Sequence, residues 1–320
     1  MKAAWYERRG PAAQVLTVGE MEAAEPGPGE VRVRLAFSGI NPGDTKKRGD
    51  WLGGGMPFPR VIPHSDGAGV IDAVGDGADR ARIGRRVWVY GAQSYRPFGT
   101  AAQSTVVPSA QAVDLPDGVS HGLGASLGIP GITAHRAVFA DGPVAGRTVL
   151  VHGVLGAVGS IAAQLARWGG ATVIGTVRRS ADLGAAGATV ALDAEPADAI
   201  RALAPGGVHR IVDVAFSDNA DLDAAVAAPD AVIAAYATRD ARPTFPFWPM
   251  LFANLTIRLL GSDDFPLEAR RQAAEDLTAA AREGALSIPI ADPLPLDRIA
   301  EAHDRVDAGT RQRILLAIPS

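Results

Sequence analysis

Gly153, Gly156 and Gly159 are the residues whose spacing most directly implies chemistry. They lie between a short apolar run, Thr148 to Val151, and a segment in which Val158, Ile161, Ala162 and Leu165 recur at helical offsets. A glycine turn in that context brings backbone N–H groups close to a pyrophosphate, where a Cβ would obstruct the approach. The positive end of the following helix points at the same place. The loop Gly153, Leu155, Gly156, Ala157, Val158 and Gly159 is therefore an anion site that needs no basic side chain. With a strand before it and a helix after it, the turn predicts dinucleotide binding.

The choice of dinucleotide is read about twenty residues on, where an NAD site places an acid on the ribose 2′-OH. Here the second strand ends Gly175-Thr176-Val177 and continues Arg178-Arg179-Ser180, with no acid before Asp182. Two guanidiniums and a hydroxyl suit a 2′-phosphate, because Arg offers forked, charge-assisted donors. Adjacent arginines alone read as solvated surface. Together with the missing acid they favour NADPH over NADH.

The elements that must position this loop follow from the rest of the chain. With 320 residues, 47% of them hydrophobic and 21% charged, the sequence supports two domains with substantial cores. Residues 1 to 122 read as short β runs separated by Pro/Gly turns, the texture of a barrel or partly open sandwich. Residues 123 to 262 carry the glycine turn and strand candidates at 148–151, 172–177, 189–192, 210–214, 231–236 and 255–260. Alternating with helices, they predict a doubly wound sheet of six parallel strands. Residues 263 to 320 change texture again: a helix over 267–283, another over 296–306 and a closing strand over 313–318. This tail is expected to rejoin the N-terminal domain, with the active site in the cleft between the two domains. A net charge of −4 with mixed signs argues against a nucleic-acid surface or a polybasic membrane anchor. No run approaches the roughly 18 apolar residues of a membrane span, and MKAAWYERRG lacks the apolar core of a signal peptide. The absence of cysteine excludes disulfides, thiolate catalysis and cysteine-ligated zinc. A cytoplasmic location is expected.

Several stretches together resemble the medium-chain dehydrogenase/reductase superfamily, and specifically its zinc-free quinone oxidoreductase branch, the zeta-crystallin-like enzymes. They are the N-terminal MKA, Pro28-Gly29-Glu30-Val31, Ser38-Gly39-Ile40-Asn41-Pro42-Gly43-Asp44, and Pro63-His64-Ser65-Asp66-Gly67-Ala68-Gly69-Val70 leading to Val74-Gly75. Further on come Gly131-Ile132-Thr133-Ala134, the Gly153–Gly159 loop, Gly187-Ala188-Thr189 and Arg313-Ile314-Leu315-Leu316. The resemblance covers essentially the whole chain. It implies an α/β protein in which a GroES-like β-rich catalytic domain is split around a Rossmann domain.

The resemblance also implies site residues. Where zinc enzymes of the superfamily hold metal with Cys, His and Cys, this chain has Asn41, Ser65 and Pro130. No metal is expected, and the six histidines lack ligand spacing. Asn41 is a candidate to contact the nicotinamide ribose or the substrate oxygen, although Asn41 to Asp44 also reads as an Asx turn. Asp44 is expected to hold that loop or act in catalysis, and Thr133 to lie beneath the nicotinamide. Ala235 and Tyr236 end a strand near the nicotinamide, where the family usually has Gly in place of Tyr236. Arg313 keeps a charge that the family commonly carries as Lys and is a candidate phosphate holder. Trp51 and Tyr95 are candidates for the substrate pocket.

Without a metal to polarise oxygen, an unactivated alcohol is a poor substrate, but a quinone or enone accepts hydride because the developing oxyanion is delocalised. The expectation is an NADPH-dependent, zinc-independent reductase of quinones or α,β-unsaturated carbonyls, a homodimer paired through the 255–260 strand. The alternatives are an enoyl-thioester reductase of the same superfamily and a non-catalytic NADPH-binding sensor or structural protein.

Overall fold

The computed structural model describes residues 1–319. In chain order the elements are β1 (Lys2–Trp5), α1 (Ala12–Val15), β2 (Thr17–Glu20), β3 (Glu30–Gly39), α2 (Pro42–Gly49), β4 (Asp66–Val74), β5 (Arg86–Val89), β6 (Ser104–Pro108), β7 (Ala112–Asp114) and α3 (His121–Phe139). There follow β8 (Thr148–Val151), α4 (Ala157–Trp168), β9 (Thr172–Val177), β10 (Ala188–Ala191), α5 (Pro196–Leu203), β11 (Val208–Asp213), α6 (Phe216–Val226) and β12 (Ala227–Ala235). The chain closes with α7 (Phe247–Phe252), β13 (Thr256–Leu259), α8 (Leu267–Arg282), β14 (Leu294–Pro295), α9 (Ile299–Asp307) and β15 (Leu315–Ala317). Residues 131–286 form one compact unit, and residues 1–130 with the tail from Ser287 form the other.

In the split unit, seven strands form one sheet in the order β14-β15-β3-β4-β5-β7, with β6 also paired to β3. Period-two alternation builds β3: Val31, Val33 and Leu35 are buried while Arg32 and Arg34 point away from the core. The core joins these residues to Leu296, Ile299, Ala302, Ile314 and Leu316 of the tail. The tail is thus part of the hydrophobic centre of this unit.

The continuous unit contains the six-stranded parallel sheet, in the order β10-β9-β8-β11-β12-β13. The order reverses at β8, and ligands of such sheets bind outside the carboxyl ends of the strands at that point. The helix α4 buries Gly159, Ile161, Ala162 and Leu165. A Cβ on Gly159 would lie 2.4 Å from the Gly153 carbonyl oxygen, so glycine is what allows helix and loop to touch.

Two local findings differ from the sequence reading. The helix α8, grouped there with the returning tail, belongs to the 131–286 unit. Its apolar face, with Ala273, Ala274 and Leu277, is buried in that unit, and Asp276 takes a 2.7 Å hydrogen bond from His135. The stretch from Asn41 to Asp44 is the start of α2: the Asp44 carboxylate accepts from the Asn41 backbone N–H at 2.7 Å, completing a capping box.

The long helix α3 bends at Gly128, where φ is −46° and ψ is −113°. The cause is a side chain entering the helical ladder. Asp66 Oδ1 accepts the Ile129 N–H at 2.8 Å, and a Cβ on Gly128 would sit 2.1 Å from that oxygen. Gly128→Ala is therefore expected to lower unfolding free energy by about 1–3 kcal/mol through overpacking. Gly54→Ala, which meets nothing within 4 Å, should stay within about 0.5 kcal/mol of the parent. Denaturant titration of both variants checks the pair.

Candidate functional site

Each unit carries its own cluster of functional side chains. In the split unit the centre is Asp66, fully buried at the start of β4. Its Oδ2 accepts from Asn41 Nδ2 at 2.7 Å and from Arg313 Nη2 at 3.1 Å, while Oδ1 takes the Ile129 N–H. Arg313 Nη1 also donates to Asn41 Oδ1 at 2.8 Å and to the Ile40 carbonyl. No spacing in the sequence marks Asp66, because one carboxylate makes no motif. Its partners come from 25 and 247 residues away.

This placement corrects the expectation for Arg313. It is buried, ion-paired and forked onto its own unit, so it holds Asp66 and Asn41 rather than a phosphate. Asn41 is spent on the same network except for its second amide hydrogen. Asp44, buried on the first turn of α2, has its carboxyl raised to about 7, by burial first and by the nearby Asp66 charge second. The cluster thus holds one guanidinium, one carboxylate and a second carboxyl that keeps its proton to near neutrality.

A second buried chain runs up to Asp66 from behind. Arg48 Nε donates to His303 Nδ1 at 3.2 Å, and His303 Nε2 meets His64 Nε2 at 2.8 Å. His64 Nδ1 meets Ser38 Oγ at 2.8 Å, Ser38 meets Thr100 at 2.7 Å, and Thr100 donates to the Asp66 carbonyl at 2.6 Å. One end is a fixed donor, Arg48, and the other a fixed acceptor, the Asp66 carbonyl, so every proton between them is assigned: each group donates toward Asp66. Burial keeps both imidazoles neutral. His303 is lowered to about 3 and His64 falls well below its ordinary range. His64 adopts φ +76°, a conformation that costs a side chain about 1–2 kcal/mol, and its two hydrogen bonds hold it there.

In the continuous unit, the loop after β8 bends through Gly153 at φ +65° and enters α4 with Gly156 as N-cap. No side chain caps the helix, so the N–H groups of its first turn at Ala157, Val158 and Gly159 are left for a ligand. Leu155 lies half-buried on the same turn. Backbone N–H groups at a helix start of this kind suit an anion. At the carboxyl ends of β9, β8 and β11 lie Thr176, His152 and Asp213. His152 Nδ1 meets Thr176 Oγ1 at 3.0 Å and Nε2 meets Asp223 Oδ1 at 2.8 Å. Burial alone would lower His152, but the Asp223 and Asp213 carboxylates outweigh it and raise it. Asp223 is pushed up to about 6, by burial and then by Asp213. The Oδ2 atoms of both acids are buried without a hydrogen-bond partner. Ala235 ends β12 and Tyr236 follows it beside Asp213, whose carbonyl accepts the Tyr236 N–H at 3.0 Å. Burial and Asp213 raise the Tyr236 phenol far above its ordinary range.

Beyond β9, Arg178 and Arg179 are exposed. Arg179 approaches Asp182 at 3.6 Å, and Arg178 makes no ion pair among the described residues. Ser180 is not free as the sequence reading supposed: its N–H and hydroxyl donate to the Asp193 carboxylate at 3.0 and 2.6 Å. Thr133 is buried on the part of α3 that belongs to this unit. Trp51 and Tyr95 are 62% and 72% exposed in the split unit, with Lys46 5.5 Å from the Trp51 ring centre. Among the described residues no three His, Cys, Asp or Glu side chains group as a metal site, and no helix is long and apolar enough to cross a membrane.

The Asp44 carboxyl gives a signed expectation. An unfolded Asp loses its proton near 4, whereas native Asp44 keeps it to about 7. Its contribution to stability is therefore present at low pH and lost as pH rises through about 7. Asp44→Asn retains an acceptor for the Asn41 N–H and does not titrate. Its melting temperature relative to the parent should rise between about pH 5 and about pH 8, and a gap independent of pH would refute the assignment.

Comparison with known proteins agrees with this geometry. Residues 27–117 match the alcohol dehydrogenase GroES-like domain, and residues 157–275 match the zinc-binding dehydrogenase family. A quinone oxidoreductase of Mus musculus is 38% identical over 150 residues, which are 46% of this chain and 43% of that protein. The chain thus aligns with less than half the length of that curated relative. A mycobacterial protein solved in complex with NADPH is 26% identical with a TM-score of 0.83, and an NAD-dependent alcohol dehydrogenase is 25% identical with a TM-score of 0.87. Both alignments cover 100% of each chain. The chain belongs to the medium-chain dehydrogenase/reductase superfamily, in its quinone oxidoreductase-type branch.

Proposed function

We propose that the protein is a zinc-independent reductase that uses NADPH to reduce quinones or α,β-unsaturated carbonyls. The observation that carries the reading is the uncapped, glycine-lined start of α4 at the end of β8, followed after β9 by the exposed pair Arg178 and Arg179. NADPH, when bound, supplies the hydride. The first turn of α4 holds the pyrophosphate, and the two guanidiniums favour the 2′-phosphate. Thr133, Ala235 and Tyr236 are the proposed contacts on the nicotinamide side.

Asn41 offers its remaining amide hydrogen to a substrate oxygen or to the ribose. Arg313 and Asp66 fix the plane of that amide, so the donor needs little reorganisation. Asp44, proton-bearing near neutral pH, is the proposed local proton reserve. Trp51 and Tyr95 are the proposed substrate-facing rings. The places where zinc enzymes of the superfamily carry ligands hold Asn41, Ser65 and Pro130. Asn41 is committed to Asp66 and Arg313, so it supports chemistry by hydrogen bonding. The names of the relatives, quinone oxidoreductase among them, support the choice of acceptor. The proposed setting is the cytoplasm.

A homodimer is proposed through β13, which is an edge of the parallel sheet. Leu259 on that strand and Phe247, Trp248 and Phe252 of α7 are exposed. Sedimentation should give twice the chain mass, and Leu259→Lys should shift it toward monomer.

NADPH oxidation in the presence of several quinones and enones is the direct test, and the absence of turnover with all of them would sink the reading. Replacing Arg178 and Arg179 by Glu should weaken NADPH binding by about tenfold or more while leaving NADH within about threefold, as expected for loss of charge-assisted bonds. Isothermal titration with both coenzymes reads the difference.

A further inference from the structure

We propose that Asp193, on the turn after β10, sets the coenzyme preference by occupying the donors that a 2′-phosphate would take. The inference rests on the coenzyme site proposed above and names a residue that acts on its adenosine end.

The acid expected at the end of the second strand of an NAD site is absent from β9, yet a carboxylate is present there. The parallel register explains how. Ala191 of β10 pairs with Val177 of β9, and the Leu192 N–H donates to the Val177 carbonyl at 2.8 Å. Two strands running in step therefore bring residue 193 alongside the turn that follows Val177. Both Asp193 oxygens accept the Ser180 N–H at 3.0 Å, and Oδ1 also accepts the Ser180 hydroxyl at 2.6 Å.

These bonds, with a smaller contribution from Arg179, hold the exposed carboxyl below its ordinary range, so it is an anion at neutral pH. Arg179 acts on it directly, and Arg178 and Asp182 belong to the same turn of chain after β9.

A 2′-phosphate approaching this turn meets two opposed features. Arg178 and Arg179 attract it. The Asp193 carboxylate repels it and already holds the Ser180 N–H and hydroxyl, the donors that would complete its shell. A ribose 2′-OH meets no such conflict, because it can donate to the same carboxylate. Asp193 thus lowers the affinity for NADPH without lowering that for NADH, and the arginines work against it.

The test is titration of the full-length protein and of Asp193→Ala with NADPH and with NADH, followed by calorimetry. Asp193→Asn serves as a second variant that keeps an acceptor for Ser180 and removes only the charge. In both variants the NADPH Kd should fall about three- to fivefold, the range of an exposed charge pair. The NADH Kd should stay the same or rise, and the NADPH gain should shrink with added salt. If both coenzymes bind the parent and neither variant tightens NADPH, or both coenzymes tighten equally, the role of Asp193 is overturned while the coenzyme site stands. If the parent binds neither coenzyme, the proposed function falls and this inference falls with it.

Discussion

The ion pair between Arg313 and Asp66 is the constraint on which the split unit's cluster depends. Two charges removed from water are tolerated only when each remaining lone pair and proton finds a partner. The Asp66 carboxylate takes three donated bonds from three places, Asn41, Arg313 and the Ile129 amide, and Thr100 donates to its carbonyl. The bend of α3 at Gly128 follows from it, because an unbent helix would have kept the Ile129 N–H. The return of the tail follows too. Arg313 precedes β15, so the cation reaches Asp66 only because the last strand is laid on β3. Local helix geometry and chain topology are both tied to one buried carboxylate.

The two units handle charge in opposite ways. Around Asp66 the guanidinium and the carboxylate are enclosed and paired with each other, which fixes geometry and leaves one amide hydrogen of Asn41 to act. Around the start of α4 the donors are backbone N–H groups left open by glycine, and the arginines after β9 stand in solvent. The first arrangement gives rigidity. The second gives an anion site whose strength is set by a few exposed charges, and such charges are easily tuned because each contributes little.

This contrast explains what was legible in the sequence. The six-stranded parallel sheet, the glycine turn and the β-rich first part could be read because their signals are local: period-two or helical alternation, and a turn between a strand and a helix. The Asn41-to-Asp44 turn was seen, but its continuation as α2 was not, since that helix carries Gly43, Thr45 and Gly49 and has no apolar periodicity. Arg313 was recognised as a charge and misread as a phosphate holder, because nothing in its neighbours reveals a partner 247 residues away. His64 and His303, 239 residues apart, gave no spacing to read. Asp193 escaped for a subtler reason. The acid of an NAD site is expected on one strand, whereas in a parallel sheet the adjacent strand delivers its residues to the same end.

The histidine chain behind Asp66 has its direction set by its two ends. A run of bonded imidazoles and hydroxyls usually suggests proton movement. Here the first group is an arginine, which does not release its proton, and the last is a backbone carbonyl, which does not take one. Reversing the run would leave Arg48 donating to a protonated nitrogen at one end and Thr100 without its acceptor at the other. The chain is therefore fixed in one direction, and its effect is mechanical and electrostatic. It aligns five bond dipoles toward the Asp66 carbonyl and holds His64 in a left-handed conformation that an unbonded side chain would abandon. The backbone is thus pinned at the point where β4 begins, which is also where the Asp66 carboxylate must reach Asn41, Arg313 and the bend of α3 together.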